Sequence, residues 1–240
     1  MNNDLNLKNV FICGVKDGIP IGLGYFAVSF AFGMTAATGG MSAFDAGLIS
    51  LTNLTSAGQF AALGIIASNG SYFELFLSQL VINLRYMLMS FSLSQKIDPK
   101  APFFHRFIAS FGITDEIFGI SSAQEYPLHP VYIYGAMSVA IPGWVAGTLA
   151  GALLKDMLPG MILSALGIAI YGMFLAIIIP PASEQRAVGF AVFAAMALAS
   201  AFHFIPGLNR VSAGFVIIIV TVVTSAAAAL LAPVEDDDEG

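Results

Sequence analysis

Apolar residues run along this chain in long blocks, and the polar residues gather in short breaks between them. The blocks are Ile12–Thr38, Phe44–Ala67, Tyr72–Gln95, Phe107–Ala123, Val131–Leu154, Met161–Ile179, Val188–Phe204 and Val211–Leu231. A helix needs about 20 apolar residues to cross a bilayer, and most of the blocks are of that order. Phe107–Ala123 is the exception, being short and holding Thr114, Asp115 and Glu116. A carboxylate pair does not face lipid, so this block spans, re-enters or lies in a cavity. The pattern predicts an all-α polytopic membrane protein with about seven or eight transmembrane helices, some of them broken or re-entrant.

The breaks leave no room for a separate soluble domain, so residues 1–234 are expected to form a single polytopic transmembrane domain. An internal repeat is one reading of the stretches Gly33–Leu63 and Gly151–Ala176, each of which passes from a small-residue span end through a turn into another small-rich span. Cations cluster at Lys8 and Lys16 and again at Lys96, Lys100 and Arg106. If the first three blocks were three full crossings, the two clusters would lie on opposite sides, against the rule that keeps them cytoplasmic.

Composition agrees with the pattern: 58% of residues are hydrophobic and 10% charged, with a mean hydropathy of +0.85. An ordinary soluble domain is about a quarter charged. The formal charge of −6 comes largely from an acidic tail, residues 235–240, which reads as a solvated end and gives no reason to expect a nucleic-acid partner. Cys13 is the one cysteine, so no intrachain disulfide forms. The first block lacks a short signal core with a small-residue cleavage site and reads as an uncleaved span. No metal-ligand spacing, nucleophile elbow or phosphate loop is present, so neither an enzyme nor a metal or cofactor site is expected.

Polar residues inside the blocks carry the candidate chemistry. GVKDGIPIGLG places Gly14, Gly18 and Gly22 four apart with Pro20 and Gly24 among them. One reading is close packing along a small-residue face. The other is an unwound helix, because Pro20 removes a donor and the glycines tolerate unwinding. A helix broken at mid-membrane offers free N–H groups to a carboxylate. In the second block Thr52, Thr55, Ser56 and Gln59 fall on one face of a regular helix, either bonding to neighbouring helices or lining a polar cavity. The third block has a polar stripe of Gln79, Asn83, Tyr86 and Ser90. Arg85 points about 200° away from Asn83 at about 100° per residue, so the two do not meet one small ligand. A cation near the middle of a span is costly and needs a partner, and Asp115 and Glu116 are the acids placed to provide it. Such a pairing is read equally well as a structural bridge or as part of substrate or proton handling.

Taken together, GIPIGLG with Phe32 and Gly33, SAGQ at Ser56–Gln59, NLRY at Asn83–Tyr86 and TDE at Thr114–Glu116 resemble the AzlC family of branched-chain amino-acid permeases. The resemblance extends over nearly the whole chain, with its specific motifs in the first half. It implies a multi-pass protein of the bacterial inner membrane that exports branched-chain amino acids such as valine, leucine and isoleucine, with methionine as a further candidate. It also implies a small membrane partner subunit of the AzlD type. Many members have histidine where this chain has Tyr86.

The resulting expectation is a transporter working by alternating access and drawing on the proton gradient. Gly18, Pro20, Gly22 and Gly24 would bind the substrate carboxylate, and Thr52, Thr55, Ser56 and Gln59, with Asn83, would complete the substrate site. Arg85, Asp115 and Glu116 would handle the coupling charge, since desolvation pushes a carboxylate there toward neutral pH and the cation pulls it back. The rivals are an uncoupled amino-acid channel or facilitator and an intramembrane hydrolase using a serine with His203.

Overall fold

A computed structural model describes residues 7–157, 161, 175, 178–180, 182–183 and 185–231. Among them every regular element is a helix, and the β-type pairing consists of a single bridge, Ile97 with Leu128. The helices are α1 (Leu7–Thr38), α2 (Ala43–Thr52), α3 (Ser56–Ala67), α4 (Tyr72–Lys96), α5 (Phe104–Phe111), α6 (Asp115–Ser122), α7 (Pro130–Leu154), α8 (Arg186–Phe204) and α9 (Ala213–Leu231). Five of these, α1, α4, α7, α8 and α9, are long and apolar enough to cross a membrane, α7 being extended by a 3-10 turn to Met157. The protein is an all-α polytopic membrane protein. The expected span Met161–Ile179, most of the second repeat stretch and the tail at 235–240 lie outside the described residues.

The chain divides into two compact units, Met1–Gln59 with Asn83–Leu166, and Phe60–Ile82 with Gly167–Gly240. The frame of the first unit is α1 against α7. Both present small residues at helical spacing, so their backbones touch directly. A Cβ on Gly14 would run into the Tyr132 carbonyl, one on Gly18 would lie 2.9 Å from the Ala136 backbone, and one on Gly33 would overlap the Thr148 carbonyl. Gly135, Gly147 and Gly151 return the contact against Phe11, Phe26 and Phe30. Because low numbers meet low numbers, the two helices run parallel. Lys155 Nζ closes the far end by donating to the Ala37 carbonyl at 2.8 Å, beside the Gly40 N–H that donates to the same oxygen at 3.1 Å.

This packing corrects the expected break in the first span. α1 is continuous from Leu7 to Thr38 with Pro20 inside it, and Gly14, Gly18 and Gly22 are the contact face with α7. The unwound stretch that was to bind a carboxylate is absent there.

Breaks occur in two other places. The second block is not one crossing helix, because α2 stops at Thr52 and α3 begins at Ser56, with Asn53 extended at φ −137° and ψ 98°. The fourth block is split in the same way, α5 and α6 being separated by Gly112, Ile113 and Thr114. α5 starts beside α7, where His105 Nδ1 lies 2.7 Å from the Tyr134 hydroxyl. α6 ends at the same level, where Lys96 Nζ donates to the Ser122 carbonyl and Gln124 Nε2 donates to Tyr132 at 3.0 Å. The pair is therefore a V-shaped re-entrant hairpin, one of the alternatives expected for this block.

The puzzle of the two cation clusters resolves in the same geometry. α1 runs away from the end where α7 begins, and the Asn83–Lys96 part of α4 runs toward that end, since Leu128 just before α7 exchanges backbone bonds with Lys96 and Asp98. Lys8, Lys16, Lys96, Lys100 and Arg106 thus share one end of the first unit.

The second unit has its own clasp. Glu74, 3% exposed, accepts from Ser212 Oγ at 2.5 Å and from the Gly214 N–H at 2.8 Å. Its carboxylate sits at the N-terminus of α9, where the helix dipole favours a negative charge.

Candidate functional site

Each break ends in a buried threonine that caps the next helix. Thr114 Oγ1 accepts from the Ile117 N–H at 3.3 Å at the start of α6. Thr55 does the same for α3, with its Oγ1 3.4 Å from the Gly58 N–H and its carbonyl 2.9 Å from the Gln59 N–H. Threonine suits this position because its oxygen replaces one of the acceptors that the first turn lacks. Both threonines are 2% exposed.

The two breaks come together at Arg85 and Tyr86 on α4. Arg85 Nη2 lies 3.0 Å from Asp115 Oδ2 at the first turn of α6. It also donates to the Tyr86 hydroxyl at 3.1 Å, and its guanidinium stands 4.9 Å from the centre of the Tyr86 ring. The same hydroxyl bonds with Thr55. A chain of contacts thus runs from Thr55 through Tyr86 and Arg85 to Asp115. Side-chain exposures of 43% for Arg85 and 35% for Asp115 show an ion pair open on one side. Lipid does not solvate such a pair, so in the middle of a membrane helix its open side calls for polar surroundings.

α1 contributes Tyr25, whose hydroxyl is 2.5 Å from both Thr114 Oγ1 and Glu116 Oε2. A carboxylate only accepts, so the tyrosine hydrogen goes to Glu116 and the threonine donates to the tyrosine. Trp144 of α7 meets the Tyr25 ring edge-on at 5.3 Å and is 3% exposed. It packs as a buried aromatic beside the site.

Beneath the first break lies a second, wholly buried polar group. Ser50 Oγ and Thr148 Oγ1 are 2.7 Å apart. Gln59 Nε2 lies 3.3 Å from Ser50 Oγ, 2.5 Å from the Asn53 carbonyl and 3.4 Å from the Ile49 carbonyl. Contacts with residues nine and ten positions earlier are out of reach in a straight helix, so the chain bends sharply at the break. Ser50, Gln59 and Thr148 are all 0% exposed, and among the described residues Gln59 Oε1 has no hydrogen-bond partner.

The break divides the stripe expected in the second block. Thr55 and Gln59 face inward and Ser56 is half-buried, while Thr52 is exposed and turned back on the Leu48 carbonyl at 2.8 Å. Gly18 and Gly22 are buried against α7, Pro20 and Gly24 are exposed, and a Cβ on Gly24 would meet nothing within 4 Å. Asn83 sits half-buried on an uninterrupted α4. The pairing of Arg85 with the ITDE acids is met by Asp115. Helical phase put Arg85 and Tyr86 on different stripes, yet the long arginine side chain reaches round to the tyrosine. Tyr25 and Thr148 stand in no polar cluster of the sequence, and Ser50 borders the Thr52–Gln59 run but lies off its helical face.

The model of the family described as AzlC protein matches residues 20–158. The chain belongs to the AzlC family. The matched stretch holds all the residues of both breaks together with Tyr25, Arg85 and Thr148, while α8 and α9 lie beyond it. Over 216 residues the chain is 32% identical to an uncharacterized membrane protein of Archaeoglobus fulgidus, covering 89% of this chain and 93% of the relative. Over 193 residues it is 28% identical to the inner membrane protein YgaZ of Escherichia coli K12, covering 78% of each. No solved structure matches it. This AzlC protein is a multi-pass membrane protein whose central polar groups are gathered where two interrupted helical segments meet.

Proposed function

We propose that this AzlC protein is a secondary transporter that exports branched-chain amino acids, valine, leucine and isoleucine with methionine as a further substrate, and that it draws on the proton gradient. The observation that carries the reading is the meeting of two interrupted helical segments, each with a buried threonine cap, at the Arg85–Asp115 pair. Interrupted helices at mid-membrane supply unpaired backbone groups and opposed dipole ends, which a channel wall of continuous helices lacks. Asp115 and Glu116, held by Arg85 and Tyr25, are the proton-coupling groups in this reading. Apolar walls around the cluster would take the aliphatic side chain.

Two further parts of the proposal rest on the family. A small AzlD-type membrane subunit is the expected partner, and the cytoplasmic membrane is the expected location, in keeping with the name of the Escherichia coli relative. The end carrying Lys8, Lys16, Lys96, Lys100 and Arg106 faces the cytoplasm.

Export of labelled valine, leucine, isoleucine and methionine from cells expressing the chain, with and without a co-expressed small subunit, tests the substrate class. If intracellular accumulation falls for none of them, the reading is wrong. Counterflow in vesicles with and without a pH gradient tests the coupling, and equal rates in both would reduce the protein to a facilitator.

A further inference from the structure

We propose that the break at Asn53–Thr55 is the subsite for the main-chain zwitterion of the amino acid: the N–H groups of Ser56 and Ala57 take its carboxylate, and Gln59 Oε1 takes its ammonium. The inference rests on the transport reading above and adds which atoms grip the substrate.

Two helices begin inside the polar cluster, and their N-termini are not equivalent. α6 carries Asp115 and Glu116 in its first turn, so its positive dipole end is already neutralised. α3 has no acid in its first turn. Thr55 occupies the N–H groups of Gly58 and Gln59, which leaves those of Ser56 and Ala57, the first two of the helix, with no intrahelical acceptor. Their side chains are small and half-buried, so the backbone can be approached. An anion is accepted at such an end and repelled at the other.

The second observation is independent of the helix end. Gln59 is 0% exposed, and its amide head lies at the break because Nε2 is held by the Asn53 carbonyl, the Ile49 carbonyl and Ser50 Oγ. Three acceptors around the nitrogen fix which end of the amide is which, and Oε1 is left buried without a donor among the described residues. A buried acceptor without a partner costs about 1–3 kcal/mol, which a bound donor relieves. An ammonium supplies that donor. The first turn of α3 therefore carries both donors for an anion and an acceptor for a cation.

The test uses the full chain in nanodiscs, with the small subunit present if export requires it, and displacement of labelled leucine by leucine, leucinamide and 4-methylpentanoate. The amide lacks the carboxylate and the acid lacks the ammonium. On the unaltered protein each should compete at least about 10-fold more weakly than leucine, the scale of one hydrogen bond to a charged group. Ser56→Pro removes one N–H at a position where proline is compatible with a helix start. It should weaken leucine and 4-methylpentanoate about 10-fold and leave leucinamide unchanged, whereas Ser56→Ala, which keeps the N–H, should change none of them. Gln59→Leu should weaken leucine and leucinamide and leave 4-methylpentanoate unchanged, with Gln59→Glu restoring the preference for ammonium.

If leucinamide displaces leucine as well as leucine itself, the carboxylate subsite is wrong. If Gln59→Leu weakens all three ligands alike, the amide only holds the bend and the ammonium subsite is wrong. The ligand series on the unaltered protein keeps the idea exposed even if a variant does not fold. Absence of binding and export for every branched-chain amino acid would instead remove the transport reading on which the subsite depends.

Discussion

Replacing Arg85 by alanine removes the cation at the centre of the cluster and leaves Asp115 without a partner among the described residues, since its Oδ1 is already buried without a hydrogen bond there. At 3.0 Å and an effective dielectric constant of about 20, the gross attraction is about 5 kcal/mol. Both side chains are more than a third exposed, so solvent screens the pair and the ordering of a long arginine offsets more of it. A net loss of about 1.5 kcal/mol is the reasonable expectation, between the small values of exposed pairs and the 3–5 kcal/mol of broken buried ones. For a chain of this size that lowers the melting temperature by about 3–6 °C. Neutralising the orphaned acid as well, in Arg85→Ala with Asp115→Asn, should recover at least half of the loss, while transport stays abolished in both. Trp144, the only tryptophan and in edge contact with Tyr25, gives an intrinsic fluorescence reading of unfolding in detergent for all members of the double-mutant cycle. A double variant that melts no higher than Arg85→Ala, and is no better expressed, would falsify the pairing as a source of stability.

Tyr25→Phe removes the donor to Glu116 and should slow export about 10-fold with expression retained, a loss measured as initial efflux rate at matched protein level. Pro20→Ala should leave transport within about twofold, because α1 is already continuous through it; loss of transport would revive a functional break there. Gly33→Val should prevent stable folding, since its Cβ meets the Thr148 carbonyl, while Gly24→Ala, open for 4 Å around, should be neutral in yield and melting temperature. In a Cys13→Ser background, a membrane-impermeant thiol reagent added to intact cells should label Met41→Cys and spare Lys100→Cys; the reverse pattern would invert the orientation inferred from the shared cationic end.

Much of the helical frame was legible because bilayer thickness and hydropathy together constrain long apolar helices strongly. Block limits such as Val131–Leu154 and Val188–Phe204 lie within two residues of α7 and α8. The interruption at Asn53–Thr55 was not legible in the same way. Leu51 and Leu54 keep the hydropathy of the block high, and only three residues leave the helix. The available signal was chemical: Thr52, Asn53, Thr55 and Ser56 are residues whose side chains bond to nearby backbone and compete with helix, and a threonine followed by small residues is a cap as readily as it is part of a stripe.

The opposite error at Pro20 has a matching cause. Proline and glycine are local breakers, but a membrane helix loses more by exposing a backbone group to lipid than by accommodating one missing donor. The glycines at 14, 18 and 22 draw α1 onto the backbone of α7, and that contact holds the helix through the proline. What interrupts a helix here is side chains able to replace the lost backbone bonds, and these are present at Thr55 and Thr114 but not beside Pro20. The same reasoning accounts for Arg85. Its direction from the helix axis was readable from the sequence, but its contacts were set by where the capped ends of α3 and α6 fall. Those ends depend on two bends that no periodicity records, so the partner acid could be named from the sequence while the Tyr86–Thr55 link to the other break could not.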